Sequence, residues 1–168
     1  MRKLTLLLLF VASLATEALA QHEIKSIIFL IGDGMGLSSV SMMQLENHSE
    51  PTIFDRAENI ALQKTYSLDN RVTDSAASGT ALATGTKTNN TMLGKTPDGE
   101  NLVSLMDIAH QRGMQTGLIA TTYLQHATPG SFYAHTESRH DYLRITEQLD
   151  ASKIAVAASG GEVCFAGV

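Results

Sequence analysis

The sequence predicts an α/β fold around a parallel sheet, on three observations. Apolar runs of strand length recur: "EIKSIIFLIG" (23–32), "QTGLIATTYL" (115–124) and "KIAVAASGG" (153–161). Segments with helical spacing separate them, and glycines or turn residues close most elements. Strands alternating with helices are the pattern of a parallel sheet joined by crossover helices.

Taken in order, the first twenty residues stand apart from this pattern. Arg2 and Lys3 precede an apolar run from Leu4 to Leu14, and Ala18-Leu19-Ala20 closes the stretch. That is the layout of a secretory signal peptide, and the run is shorter than the roughly 20 apolar residues a membrane-spanning helix needs. The expected domains are a signal peptide over 1–20 and a single domain over 21–168, exported to a periplasm or the medium. "EIKSIIFLIG", rich in Ile and ending at Gly32, reads as a buried parallel strand. "GLSSVSMMQLENH" after it can form a helix. Pro97 and Asp98-Gly99 in "KTPDGEN" mark a turn. "NLVSLMDIAHQRG" predicts a helix with Gly113 at its C-terminal cap. "QTGLIATTYL" is the next strand, "RHDYLRITEQLDAS" a helix and "KIAVAASGG" a third strand. Sites in such sheets lie at the carboxyl ends of strands, which puts Asp33 and the residues after Leu124 on one working edge.

Charge and cysteine content narrow the function. The formal charge of −5 becomes −6 once Arg2, Lys3 and Glu17 are removed, and no basic run occurs. This argues against nucleic acid or an anionic membrane as the main partner. Cys164 is the only cysteine, so no internal disulfide can form; it reads as a small buried hydrophobe. "NHS" at Asn47 and "NNT" at Asn89 match the glycosylation sequon, which matters only in a glycosylating host.

Three segments could carry chemistry. "FLIGDGMG" misses the dinucleotide fingerprint because Leu37 stands where the third glycine belongs, and Asp33 inside the turn would repel a pyrophosphate. Asp33 is either a helix N-cap before "MGLSSV" or a ligand for a hard or borderline cation. "RVTDSAASGTALATGTKTNN" (71–90) misses the Walker A register, and no nucleophile elbow surrounds Ser75. A nucleotide-binding module therefore has little support. Asp74 can be the N-cap of a buried alanine-rich helix. Alternatively, Ser75 is a nucleophile at a helix start, with a metal ion as its activator. In "TTYLQHATPGSFYAHTESR" (121–139), Arg139 could clamp phosphate. His126 and Thr128, two apart, would share a side in extended backbone; each is alternatively an ordinary surface or capping residue.

Together, "LIGDGMG", "VTDSAASGTALATGTKT" and "ATTYLQHATPGSFYAHTESR" resemble, in this order and spacing, the N-terminal part of alkaline phosphatase. The resemblance covers essentially the whole of 21–168. It implies a central, mostly parallel sheet flanked by helices, incomplete in this chain, and hydrolysis of small phosphate monoesters with two Zn2+ and one Mg2+. It implies a homodimer for the full-length protein. It further implies that Ser75 is the nucleophile and a metal ligand, forming a phosphoseryl intermediate. Asp33 would bridge the second zinc and the magnesium, with Thr128 a magnesium ligand and His126 near it. Arg139 would bind two phosphate oxygens and Asp74 would position Arg139. One zinc would lower the pKa of Ser75, and the other would stabilise the leaving oxygen and then activate water.

The sequence departs from the family by being much shorter, and the later zinc ligands and the magnesium glutamate have no counterpart in it. His110, His135 and His140 fall outside matching motif positions. The isolated 168-residue chain is therefore expected to bind zinc weakly and turn over little. The alternative is a non-enzymatic truncated pseudoenzyme carrying half a site.

Overall fold

The computed structural model describes residues 25–47 and 50–161. The signal-peptide reading of 1–20 and Cys164 lie outside the described residues. The described chain falls into two units, 25–32 and 33–161. No helix among the described residues is long and apolar enough to cross a membrane.

Residues 25–32 form no regular element, where the apolar run predicts a buried parallel strand. Ile28 and Leu30 are 84% and 86% exposed. A parallel strand is buried by neighbouring strands and by helices over both faces. Among the described residues the only sheet has two strands, and neither pairs with this run. Apolar composition supplied the β signal, but the pairing that converts such a run into a strand is missing.

In the second unit, α1 spans Leu37–Glu46, starting after Gly36 with no side-chain cap and burying none of its residues. α2 (Ser75–Thr84) is capped by Asp74, whose carboxylate accepts from the Ala77 amide. It stops at Gly85, which takes φ 74, a left-handed conformation that glycine adopts without a Cβ penalty. α3 (Leu105–Gln111) begins with a reciprocal capping box between Ser104 and Asp107, and Gly113 follows its end at φ 73. The Pro97–Gly99 turn lies between Lys95 and Asn101, which form an antiparallel bridge.

β1 (Gly117–Tyr123) leads into the short helix α4 (Ala127–Gly130). α5 (Tyr142–Ala151) follows, and β2 (Val156–Gly160) returns parallel to β1, with Gly117 opposite Val156. This is the strand–helix–strand order the sequence predicts over 115–161. The core is small: Ala76 of α2, Leu93, Ala127, Ala134 and Ile145 of α5, with Tyr133 packed against it. Burial of Tyr133 pushes its phenol pKa well above the usual range.

α2 owes its small residues to this core. Ala76, Ala77, Gly79, Thr80 and Ala83 are buried. A Cβ added at Gly79 would stand 2.5 Å from Ser131 Oγ and 3.5 Å from the Ala127 carbonyl. The helix therefore lies close against α4 and the residue after it, and only glycine fits at that contact. Thr80, fully buried, accepts the Gly94 amide at 2.9 Å and donates to the Met92 carbonyl at 3.3 Å. It satisfies polar groups that would otherwise be stranded in the interior.

Candidate active site

The start of α2 and the chain following β1 bring the three sequence segments together. Asp33 lies in a turn before α1, followed by Gly34 at φ 72. Its carboxylate does not cap α1, which begins after Gly36 without a side-chain cap. Instead it accepts two hydroxyls from distant parts of the chain. Ser75 Oγ donates to Asp33 Oδ1 at 3.2 Å, and Thr128 Oγ1 donates to Asp33 Oδ2 at 2.7 Å. The N-cap alternative for Asp33 is thereby replaced by a bridging role.

Asp74 does cap α2, and its carboxylate does more besides. Oδ1 accepts the Ala77 amide at 2.9 Å. Oδ2 accepts the Thr91 amide at 3.0 Å and Arg139 Nη1 at 3.2 Å. The cap and the ion pair with Arg139 are therefore made by opposite oxygens of one carboxylate. Both partners of the ion pair are largely buried, with side chains 19% and 23% exposed. Such a position strengthens a pair relative to the fully exposed case.

His126 and Thr128 reach the site by a different geometry from the one predicted. The extended backbone ends at His126, the N-cap residue of α4, and Thr128 lies within that helix. His126 Nε2 faces Arg139 Nη2 at 3.4 Å while Thr128 turns to Asp33. Pro129 in the first turn favours helix over strand at this point. Desolvation, then the positive charge of Arg139, hold the His126 imidazole below its ordinary pKa, against an opposing pull from Asp33. A neutral ring with Nε2 unprotonated is what an arginine N–H donor requires. The Tyr123 ring packs edge-on to His126 at 5.5 Å between centroids, holding the imidazole in place.

The other described histidines serve the fold. His110 Nε2 pairs with Thr116 Oγ1 at 3.1 Å, His135 Nε2 with the Leu102 carbonyl at 2.9 Å, and His140 lies edge-on to Tyr142. No group of three or more His, Cys, Asp or Glu poised for a metal occurs among the described residues. The donors gathered at Asp33 are oxygens: two from the carboxylate and the hydroxyls of Thr128 and Ser75. That chemistry fits part of the shell of a hard cation such as Mg2+, which takes oxygen ligands and keeps several waters. It does not fill a zinc shell, which takes four ligands and favours nitrogen and sulfur.

The turn Asn89–Thr91, which in the sequence stands out only as a sequon, touches Asp74 and Arg139. The Asn-Asn pair was the available signal, since such pairs mark turns with left-handed residues. The left-handed residue is Thr91, however, at φ 74.

A family model for alkaline phosphatase matches residues 24–159. The chain belongs to the alkaline phosphatase family. Alkaline phosphatase 4 of Bacillus subtilis is 38% identical over 157 residues, covering 85% of this chain and 34% of that protein. Alkaline phosphatase 3 of the same organism is 38% identical over 159 residues, covering 86% and 34%. The chain thus spans about a third of the length of these curated relatives. Among solved structures, the alkaline phosphatase of the Antarctic bacterium TAB5 superposes with a TM-score of 0.81 at 37% identity, over 86% of this chain and 42% of that one. The cold-active enzyme of a Shewanella species gives 0.76 at 37% identity, over 82% and 36%. Variants of the TAB5 enzyme with a histidine replaced by Asp or Glu hold Mg in their M3 site.

Proposed function

We infer that this chain is the N-terminal part of the catalytic domain of an exported, metal-dependent alkaline phosphatase, with Ser75 as nucleophile. The observation that carries the reading is the convergence on Asp33. Residues 42 and 95 positions further along the chain both place hydroxyls on its carboxylate. The Asp74–Arg139 pair is anchored next to Ser75, at the helix start.

Each residue has a definable task in monoester hydrolysis. Ser75 occupies the first position of α2, where unpaired amides and the helix dipole favour an anion. Asp33 holds the Ser75 hydroxyl as an acceptor, fixing the direction of the oxygen. Ser75 Oγ forms a bond to phosphorus while the bond from phosphorus to the ester oxygen breaks, and the alcohol leaves with a proton. Water then attacks the phosphoserine, releasing inorganic phosphate and restoring the hydroxyl. Arg139 retains N–H donors beyond its contacts to Asp74 and His126 and would pair with phosphate oxygens. Asp33, Thr128 and His126 would hold the magnesium, with Ser75 and Asp33 contributing to the zinc pair. Bound cations at these positions would supply Lewis-acid charge compensation and favour the serine alkoxide.

For the 168-residue chain alone we expect weak zinc binding and little turnover, since only Asp33 and Ser75 among the described residues serve that pair. Binding therefore tests the reading better than rate. Calorimetry with MgCl2 should show a site that Asp33→Asn abolishes. Inorganic phosphate, titrated separately, should bind about tenfold or more weakly to Arg139→Ala, the loss of a charge-assisted contact. Magnesium and phosphate binding indifferent to both substitutions would overturn the proposal.

A further inference from the structure

Thr91 is the only non-glycine residue among those described with a positive φ, at 74°. For a β-branched side chain this is an outlier, and such outliers persist where the surroundings over-determine them. Here the surroundings are Asp74 and Arg139. The Thr91 amide donates to Asp74 Oδ2 at 3.0 Å, the oxygen that also takes Arg139 Nη1. The Thr91 carbonyl accepts the Arg139 backbone amide at 2.8 Å. One peptide unit on each side of a strained residue thus holds the carboxylate and the main chain of the arginine paired with it.

The neighbouring Asn90 ties this turn to the start of α2. Its Oδ1 accepts the Asp74 amide at 3.0 Å and its Nδ2 donates to the Val72 carbonyl at 3.0 Å. Its own amide donates to Asp69 Oδ1 at 2.9 Å. Asp69 in turn accepts Ser67 Oγ at 3.0 Å, and the Asn90 amide, first among its contacts, holds its pKa below the usual carboxylate value. The segment before Ser75, the Asp74 carboxylate and the Arg139 backbone are therefore referenced to the same two residues. A one-residue error here would move the guanidinium relative to the serine, and positional errors of that order cost rate.

We propose that the Asn90–Thr91 turn is a positioning element that fixes the Asp74–Arg139 pair relative to Ser75. Asn90 acts through its side chain and Thr91 chiefly through its backbone, its Oγ1 adding a longer bond to the Glu137 carbonyl at 3.3 Å. The assignment of Arg139 to phosphate rests on the function proposed above, whereas the positioning of its side chain does not.

The test uses the full chain and two readouts. Nitrogen-edited NMR of the Arg139 guanidinium reports the pairing directly, with Asp74→Ala as the reference for its loss. Asn90→Ala should speed exchange of the Arg139 Nη protons by about fivefold, the equivalent of one neutral hydrogen bond. Thr91→Gly keeps both backbone groups and the left-handed conformation and gives up only the 3.3 Å hydroxyl bond to the Glu137 carbonyl, so its Arg139 signals should match the wild type. Inorganic phosphate binding should weaken by about fivefold in Asn90→Ala and show no further loss when Asn90→Ala is added to Arg139→Ala. That non-additivity separates positioning from general weakening of the fold. Unchanged Arg139 signals in Asn90→Ala would overturn the proposal. So would an equal loss of phosphate binding with and without Arg139, or a Thr91→Gly protein that loses the pairing. A wild-type chain that binds no phosphate would count against the phosphatase reading, and the guanidinium signals would still decide this one.

Discussion

Gly79→Ala separates two forces that act in opposite directions. In an exposed helix the substitution would stabilise by about 1 kcal/mol, because alanine is the better helix former. In α2 the new methyl would lie 2.5 Å from Ser131 Oγ and 3.1 Å from Ser131 Cβ. Ser131 cannot swing aside freely, since its hydroxyl donates to the Ala127 carbonyl at 2.6 Å and the site is buried. Either that hydrogen bond is lost, at about 1–3 kcal/mol, or α4 shifts outward at a similar overpacking cost of about 1–3 kcal/mol. The net expectation is a loss of about 0–2 kcal/mol after the propensity gain. For a chain of this size that lowers the thermal midpoint by up to roughly 8 °C. Because α4 carries Thr128, its contact to Asp33 should loosen, weakening magnesium binding as well. Thermal and urea unfolding of Gly79→Ala, Ser131→Ala and the double variant form the assay. Ser131→Ala removes the 2.5 Å contact, so it should recover about half of the Gly79→Ala cost. A Gly79→Ala protein more stable than the wild type, or a cost indifferent to Ser131, would refute the close-packing argument.

Further outcomes follow from the same contacts. Ser104→Ala removes the capping box of α3 and should cost about 1 kcal/mol, read as a lower urea midpoint. Asp74→Asn keeps a good N-cap but breaks the ion pair, so α2 should be nearly unaffected. Phosphate affinity, measured by calorimetry, should fall by about fivefold, the upper range for a partly exposed pair. His126 has a depressed folded pKa, so below about pH 6.5 the unfolded chain binds a proton that the folded one resists. Its contribution is fully present above that value and is lost as pH falls through the folded pKa. In chelator-treated protein, stability should therefore drop below about pH 6.5, and His126→Asn should flatten that slope.

What could be read from the sequence was what depends on local chemistry. The Asp74 cap, Gly113 as a stop, and the strand–helix–strand order over 115–161 all follow from short-range rules. The candidate residues were also visible, because the Asp74-Ser75 pair and the motif around Arg139 are distinctive. Tertiary partners were not. Residues 25–32 have strand composition without strand pairing, since composition cannot say whether neighbours are present. The helical turn at Ala127–Gly130 replaced an extended segment, so His126 and Thr128 engage different partners. From its own surroundings Asp33 is either a cap or a cation ligand. The uncapped start of α1 removes the first, and the long-range hydroxyls of Ser75 and Thr128 are its observed partners. Thr91 was hidden because its contacts to Asp74 and Arg139 are made by backbone groups, on which the side-chain type is silent.

The central claim is that Ser75 forms the covalent bond to phosphorus. The most direct measurement is acid quenching after exposure to a radiolabelled phosphate monoester with Zn2+ and Mg2+, followed by peptide mapping. Label is expected on the peptide containing Ser75 and none in Ser75→Ala, whose magnesium binding stays largely intact. Label on a different residue, or as much label in Ser75→Ala as in the wild type, would contradict it.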